Sequence, residues 1–489
     1  MSNSRTIRSR KPIIVVVLIL LAAGGAFAPA CRADPLPVSL EAAVASALAS
    51  SASVDSANLD LLSAVSKTQE AEWKRLPSLG LSAGYTRLSE LPASDTNLSM
   101  TLPSSFATIF PGGVLSIPLP SLLNAFSFAV NMQYPVFAGF RLQEAAALAK
   151  VQQRGKEVAL EMVKRSLVFE VERAYWEAVR ATSNLKTLAK NVEYAKSNLD
   201  LVEKQATQGA ATLADKLSAE TRYSQANLDL GDASNLQRRA FLALANLAGG
   251  QLATALLSGA DGAVLATVPD TPLPAALGGG QDSPLDESAD LPPVDKLIET
   301  ALAARPETRA SAIAAEAARH GVAIAKGALY PTVALSGSYN LADPNQRVPF
   351  QTNPWQFTGT WAVGIGLSYD IGGLPANLAE VKAQEAAVDK SAADDRRQRE
   401  AIVFDVRNCV MAYEQAVSDV QVVKGMIDQA IENQRVTQQR FDAGTASRPD
   451  LLGAQLSLLR AEFTVTNKEI DAQEARADLA RALALVRLE

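Results

Sequence analysis

Two stretches of the chain, residues 141–208 and 376–443, each hold apolar residues on a 4-3 spacing over many turns. The first runs from Leu167, Val171, Ala174 and Ala178 through to Val202 and Ala206. The second runs from Ile402, Val406, Cys409 and Tyr413 through to Thr437 and Phe441. Several heptads in register predict a coiled-coil seam. At about 1.5 Å per residue each helix would be roughly 100 Å long, and no compact domain contains such an element. Many seam residues are alanine, which lets helices approach closely. Cys409 falls on the seam, so packing rather than redox chemistry is its expected role.

The long helices belong to a duplicated plan. Pro77-Ser78-Leu79-Gly80-Leu81-Ser82-Ala83-Gly84-Tyr85 resembles Pro331-Thr332-Val333-Ala334-Leu335-Ser336-Gly337-Ser338-Tyr339. Gly209, Thr212 and Asp215 match Gly444, Ser447 and Asp450. Residues 36–250 and 293–489 are therefore read as two structural repeats. Each has a helical stretch (39–74 and 294–329), two strands around a polar, proline-rich loop, a very long helix, a glycine turn and a further helix. Residues 251–292, rich in Gly, Pro and Asp, read as a connector.

The strands alternate with period 2. Leu79, Leu81, Ala83 and Tyr85 alternate with small or polar residues, as do Phe126, Phe128, Val130, Met132 and Tyr134. The clearest run is Trp355, Phe357, Trp361, Val363, Ile365, Leu367 and Tyr369. One apolar and one small, polar face fits a soluble sandwich or a membrane barrel. Length of about ten residues and aromatic residues near the strand ends favour the barrel. Four strands per chain cannot close one, since the smallest have about eight. An open edge in lipid would leave backbone groups unpaired at several kcal/mol each. The chain is therefore expected to oligomerise. Three copies give twelve strands, although two or four would also remove the edges.

Composition narrows the chemistry. The 489 residues include one His and two Cys. That is too few for a Cys/His zinc cluster or a disulfide framework, and His320 would have to serve any Ser-His-Asp site alone. His320 reads as a surface or packed side chain. Glu157, Glu161, Asp394 and Asp395 read as solvated helix faces. No phosphate loop or nucleophile elbow appears. A formal charge of −6 gives no footprint for nucleic acid. No enzyme, metal site or cofactor is expected. At the N-terminus, Arg5, Arg8, Arg10 and Lys11 precede the apolar run Ile13 to Ala28 and the small-x-small site Ala28-Pro29-Ala30. Residues 1–30 thus read as an export signal. Cys31, directly after it, is a candidate for lipid attachment, although Pro29 makes a poor lipidation motif.

The two glycine turns carry the most specific chemistry. Gly209 and Gly444 suit the left-handed position that ends a helix. Thr212 and Ser447 suit the N-cap of the next helix, with Asp215 and Asp450 three residues on as capping-box partners. A carboxylate at the positive end of a helix dipole is favourable in itself. Asp215 and Asp450 are thus either caps or acids that face a partner or a pore.

Taken in order and duplicated, these parts resemble the TolC-like outer-membrane efflux proteins. The pieces that carry the resemblance are the strands begun by Pro77 and Pro331, Gln133-Tyr134-Pro135-Val136-Phe137-Ala138-Gly139, and the two Gly-x-x-[Ser/Thr]-x-x-Asp turns. The resemblance covers nearly all of 36–489. It implies a mixed α and β-barrel membrane protein: a homotrimer with a twelve-stranded outer-membrane barrel continuous with a helical coiled-coil tube in the periplasm. It implies a passive exit duct in a tripartite efflux or type I secretion system. The partners would be outer-membrane lipid, a periplasmic adaptor and an inner-membrane pump or ABC-type transporter. Gly209, Thr212, Gly444 and Ser447 would form the periplasmic tip where the adaptor docks. Asp450, with Asp215, would be the candidate gate acid; a second acidic position one helical turn on is Gly453 here. Residues 251–292 would supply most of an equatorial region. The rival expectation is a periplasmic coiled-coil adaptor or scaffold without a channel. It accounts for the heptads and the signal, not for four aromatic-faced strands.

Overall fold

The structure is a computed structural model that describes residues 39–89, 97–101, 114–118, 123–249, 291–343 and 356–485, together with Asn345. The export signal, Cys31, Trp355 and nearly all of the 251–292 connector lie outside the described residues. The elements in chain order are α1 (Leu40–Ser50), α2 (Ala52–Trp73), β1 (Ser78–Arg87), β2 (Asn97–Thr101), β3 (Val114–Pro118), β4 (Asn124–Ala138), α3 (Arg141–Thr207) and α4 (Leu213–Ala248). They continue with α5 (Val294–Ala304), α6 (Pro306–Gly327), β5 (Thr332–Asp343), β6 (Thr358–Ser368), α7 (Leu374–Asp442) and α8 (Arg448–Ala482).

The long helices α3 and α7 have 67 and 69 residues, within two residues of the expected bounds. Of the expected seam, Leu167, Val171, Ala178 and Ala181 are buried in α3; Ile402, Val406, Cys409, Ala416, Val423 and Ala430 are buried in α7. The stretches expected as single helices are each two. Ser51 is extended between α1 and α2, and Arg305 is extended before Pro306, whose ring suits the first turn of α6. The loop expected between β1 and β4 contains its own antiparallel hairpin, β2–β3.

β1, β4, β5 and β6 form one antiparallel sheet in the order β1-β4-β5-β6, with β1 and β6 at its edges among the described residues. Register keeps like faces together. Leu81 pairs with Val130, Val130 with Tyr339, and Tyr339 with Trp361. On the opposite face Gly80, Asn131, Ser338 and Ala362 form the corresponding row. Among the described residues nothing covers the apolar face: Leu81, Trp361, Val363, Ile365 and Leu367 are each at least 67% exposed. Aromatic side chains gather at both ends. Tyr85 stacks against Phe126 at 4.7 Å, with Phe357 beside them, at the end far from the helices. Phe137 meets Phe140 edge-on at 5.3 Å at the near end, where Tyr330 and Tyr369 are also exposed. An apolar band between two aromatic girdles is the lipid-facing surface of a membrane barrel.

β1 and β5 follow α2 and α6, β4 and β6 lead into α3 and α7, and these four helices pack side by side in the lateral order of β1, β4, β5 and β6. The β4–α3 corner is the tightest point. Gly139 and Phe140 both have left-handed backbone, φ 61° and 63°. A Cβ on Gly139 would overlap the Gly327 carbonyl oxygen, and one on Gly327 would lie 2.5 Å from the Gly139 carbonyl oxygen. Only glycine at both positions lets the end of α6 cross this corner.

Farther from the sheet, α4 pairs with α3 and α8 with α7, and α3 packs against α8, giving the order α4-α3-α8-α7. The short helices α1 and α5 lie against this wall. Ala43, Val44 and Ala47 of α1 share a core with Val168, Val171, Tyr175 and Val179 of α3 and Leu244 of α4. Ser46 and Ser50 donate to the Ala248 carbonyl oxygen, closing the end of α4. On the second repeat, Leu297, Ile298 and Ala301 pack with Ile402, Val406 and Leu479. Arg305 there donates to Asp405 at 2.9 Å, and Arg481 to the same carboxylate at 3.2 Å. Burial alone would raise the Asp405 pKa, but the two guanidiniums outweigh it and hold it below the ordinary carboxylate range. Burial first, and then Asp405, push the Cys409 thiol up to about 11, so it stays protonated and acts as a packed side chain. His320 is half-buried and reaches Glu144 of α3 at 2.6 Å, a tie between α3 and α6.

Candidate functional site: the helical tips

The end of the molecule opposite the sheet consists of the α3–α4 and α7–α8 turns. Both are built as the sequence pattern requires. Gly209 and Gly444 each have φ 74°. Ala210 donates back to the Gln205 carbonyl, and Thr445 to the Arg440 carbonyl, so the last carbonyls of the long helices are satisfied. A full capping box follows in each. Asp215 N–H donates to Thr212 Oγ1 at 3.2 Å while Thr212 N–H donates to Asp215 Oδ2 at 2.9 Å. Asp450 N–H donates to Ser447 Oγ at 3.4 Å, and Ser447 N–H to Asp450 Oδ2 at 2.9 Å. The Thr212 and Ser447 hydroxyls also donate to these carboxylates. Hydrogen bonds from the Thr212 hydroxyl and backbone hold the Asp215 carboxyl below its ordinary range, and those from Ser447 do the same for Asp450. Both acids are therefore ionised at neutral pH.

The two tips differ in ways the turn pattern does not reveal. In the first, Lys216 bridges Glu203 across the turn at 3.2 Å, and Leu213 and Leu217 are exposed. In the second, the Arg448 guanidinium sits 5.5 Å from the Phe441 ring centroid, and Leu451, where the first repeat has Lys216, is buried. Aligning the two repeats residue by residue would have exposed this asymmetry; the shared turn pattern hides it. Gly453 is exposed on α8, and a Cβ there would meet nothing within 4 Å. Cys31 lies outside the described residues.

The tips thus stand at the far end of paired helices that descend directly from a membrane-type sheet. The sequence model of the outer membrane efflux protein family matches residues 43–250 and 297–485. The chain belongs to this family. No curated protein sequence matches it. Among solved structures, a membrane protein from Pseudomonas aeruginosa aligns at TM-score 0.69 and 20% identity, over 94% of this chain and 99% of that one. The outer membrane protein VceC of Vibrio cholerae aligns at 0.68 and 19%, over 91% and 95%. The outer membrane channel CmeC of Campylobacter jejuni aligns at 0.71 and 15%, over 96% and 94%. The fold is therefore that of the outer membrane efflux channels. Its sheet contributes to a barrel in the outer membrane, its helices extend into the periplasm, and the family's role is that of an exit duct.

Proposed function

We propose that three copies of the chain close into one duct, which serves as the outer-membrane exit of a tripartite efflux or type I secretion system. The observation that carries this reading is the match between the two edges of the chain. At the sheet, the edges are β1 and β6. Along the lower helices they are α4 and α7. Leu217, Leu228 and Leu242 are exposed along α4; Val436, Val422 and Met411 are exposed along α7. Counted from their tip turns, these residues stand at nearly the same heights, so α4 of one copy and α7 of the next can bury one another's apolar stripe. Two copies would make an eight-stranded barrel, whose interior is filled by side chains or holds one small ligand. Three copies make twelve strands with the small, polar face inward, wide enough for a water-filled passage. The resemblance to the family selects three over four.

In this arrangement the duct is passive, and the energy comes from an inner-membrane pump or ABC-type transporter through a periplasmic adaptor. The adaptor docks at the tips around Gly209, Thr212, Gly444 and Ser447. Three Asp450 carboxylates near one axis repel one another and favour cations at the gate. Asp450 then has two roles, cap and gate. Asp450→Asn is expected to lower cation preference and change single-channel conductance in planar bilayers. Gly453→Asp, at a position open to a side chain, is expected to raise cation preference. If neither variant alters selectivity or conductance, Asp450 is only a cap.

A further inference from the structure

A groove of about 550 Å³ runs along the helical wall between α3, α4 and α8. Leu236 and Phe463 supply apolar walls, and Glu177, Asp229 and Asp232 supply carboxylates. Arg180, in its floor, is taken up by Asp471 and Glu474 at 2.7 Å each. Glu177 also bridges Arg180, at 3.2 Å, which leaves Asp229 and Asp232 against Arg239 in the groove. Lys468 also bridges Asp471, at 3.4 Å, and Asp419 of α7, at 2.9 Å, so the floor is tied across α3, α8 and α7. Asn184 and Asn467 add an amide pair between α3 and α8.

The groove's position follows from helical periodicity. On α3, Glu177, Asn184 and Leu188 fall on the side away from Val168, Val171, Tyr175 and Val179, which share the core with α1. A helix layer inside the ring would obstruct the passage, so α1 belongs outside it and the groove faces the lumen. This placement rests on the duct reading above.

We propose that the groove is a binding site for cationic amphiphiles that carry an aromatic ring system. Volumes of roughly 300–1,000 Å³ suit small organic ligands. The excess of carboxylates selects a cation, and Phe463 and Leu236 offer apolar surface to a flat ring. Such a site passes cargo along the wall, with three copies at one height around the axis. The half-open groove favours weak, rapidly exchanging binding, as a duct requires.

Rhodamine 6G, an aromatic cation, is the probe, with fluorescein as its anionic counterpart. Fluorescence polarisation is recorded on the purified full-length protein in detergent, above a protein-free micelle baseline. Saturable binding of rhodamine 6G but not fluorescein is expected, weakening as salt is raised. The Asp229→Asn/Asp232→Asn double variant is expected to weaken it at least tenfold, and Phe463→Ala at least threefold. Retained heat-modifiable gel mobility reports that each variant is folded. Equal binding of the two dyes by the wild type, or binding unchanged in both variants, overturns the proposal, the first without needing any variant. Conductance of the same wild-type preparation in planar bilayers separates the two readings. A conducting protein that fails the dye test loses only the groove; a protein that does not conduct loses the duct.

Discussion

Val363→Arg is expected to prevent accumulation in the outer membrane, whereas Ala362→Arg, one residue away, leaves it nearly unchanged. Val363 lies in the middle of β6, 67% exposed on the apolar face. Ala362 points to the opposite face, opposite Ser338 of β5. Arginine at the midplane of a lipid-facing strand costs about 2–4 kcal/mol. Three copies per barrel multiply that to roughly 6–12 kcal/mol, comparable with the whole stability of a domain. On the inward face the guanidinium meets water and small side chains such as Ser338 and Asn131. Quantification of each variant in outer-membrane fractions, before and after urea extraction, checks the contrast. Equal loss of both variants would indicate a sheet buried on both faces. Equal tolerance would indicate a sheet outside lipid, as a periplasmic scaffold would have.

A Leu242→Cys/Met411→Cys pair is expected to join neighbouring copies on mild oxidation. The two side chains are 58% and 59% exposed on opposite edges of the chain, and each is 33 residues from its tip glycine, Gly209 or Gly444. The pairing is heterologous, α4 to α7, so it closes into a ring only after a fixed number of copies. A background with Cys31 and Cys409 replaced removes the native thiols. Oxidised membranes are expected to show a ladder of two and three chains on a denaturing gel, ending at three, and to return to one chain on reduction. The single variants are expected to show one chain only. A ladder ending at two or four would reset the stoichiometry, and a crosslink within one chain would remove the edge pairing altogether.

What the sequence made legible was whatever repeats along one chain. The heptads of α3 and α7, the period-2 faces of the four sheet strands and the glycine turns are local patterns, and the structure places them as expected. The breaks at Ser51 and Arg305 were harder to read. Helical composition continues through both, and Ser51 is extended because α1 turns to cap the end of α4 through Ser46 and Ser50. That partner is nearly 200 residues away. Pro306 was a visible signal for the second break. The β2–β3 hairpin was masked by prolines and polar residues in its surroundings. The tips were legible as caps, because a capping box is contained in four residues. Their asymmetry lies in the residues between the shared positions, such as Lys216 against Leu451, and the turn pattern alone does not carry it. The groove around Phe463 combines residues from α3, α4 and α8, and no linear pattern marks such a combination.

The most direct test of the duct is a planar-bilayer recording of the purified, folded protein. Discrete current steps of uniform size are expected as single complexes insert, with cation preference set at the helical tips. Membrane association without any current step, in protein that retains its heat-modifiable mobility, would contradict a continuous passage from barrel to tip.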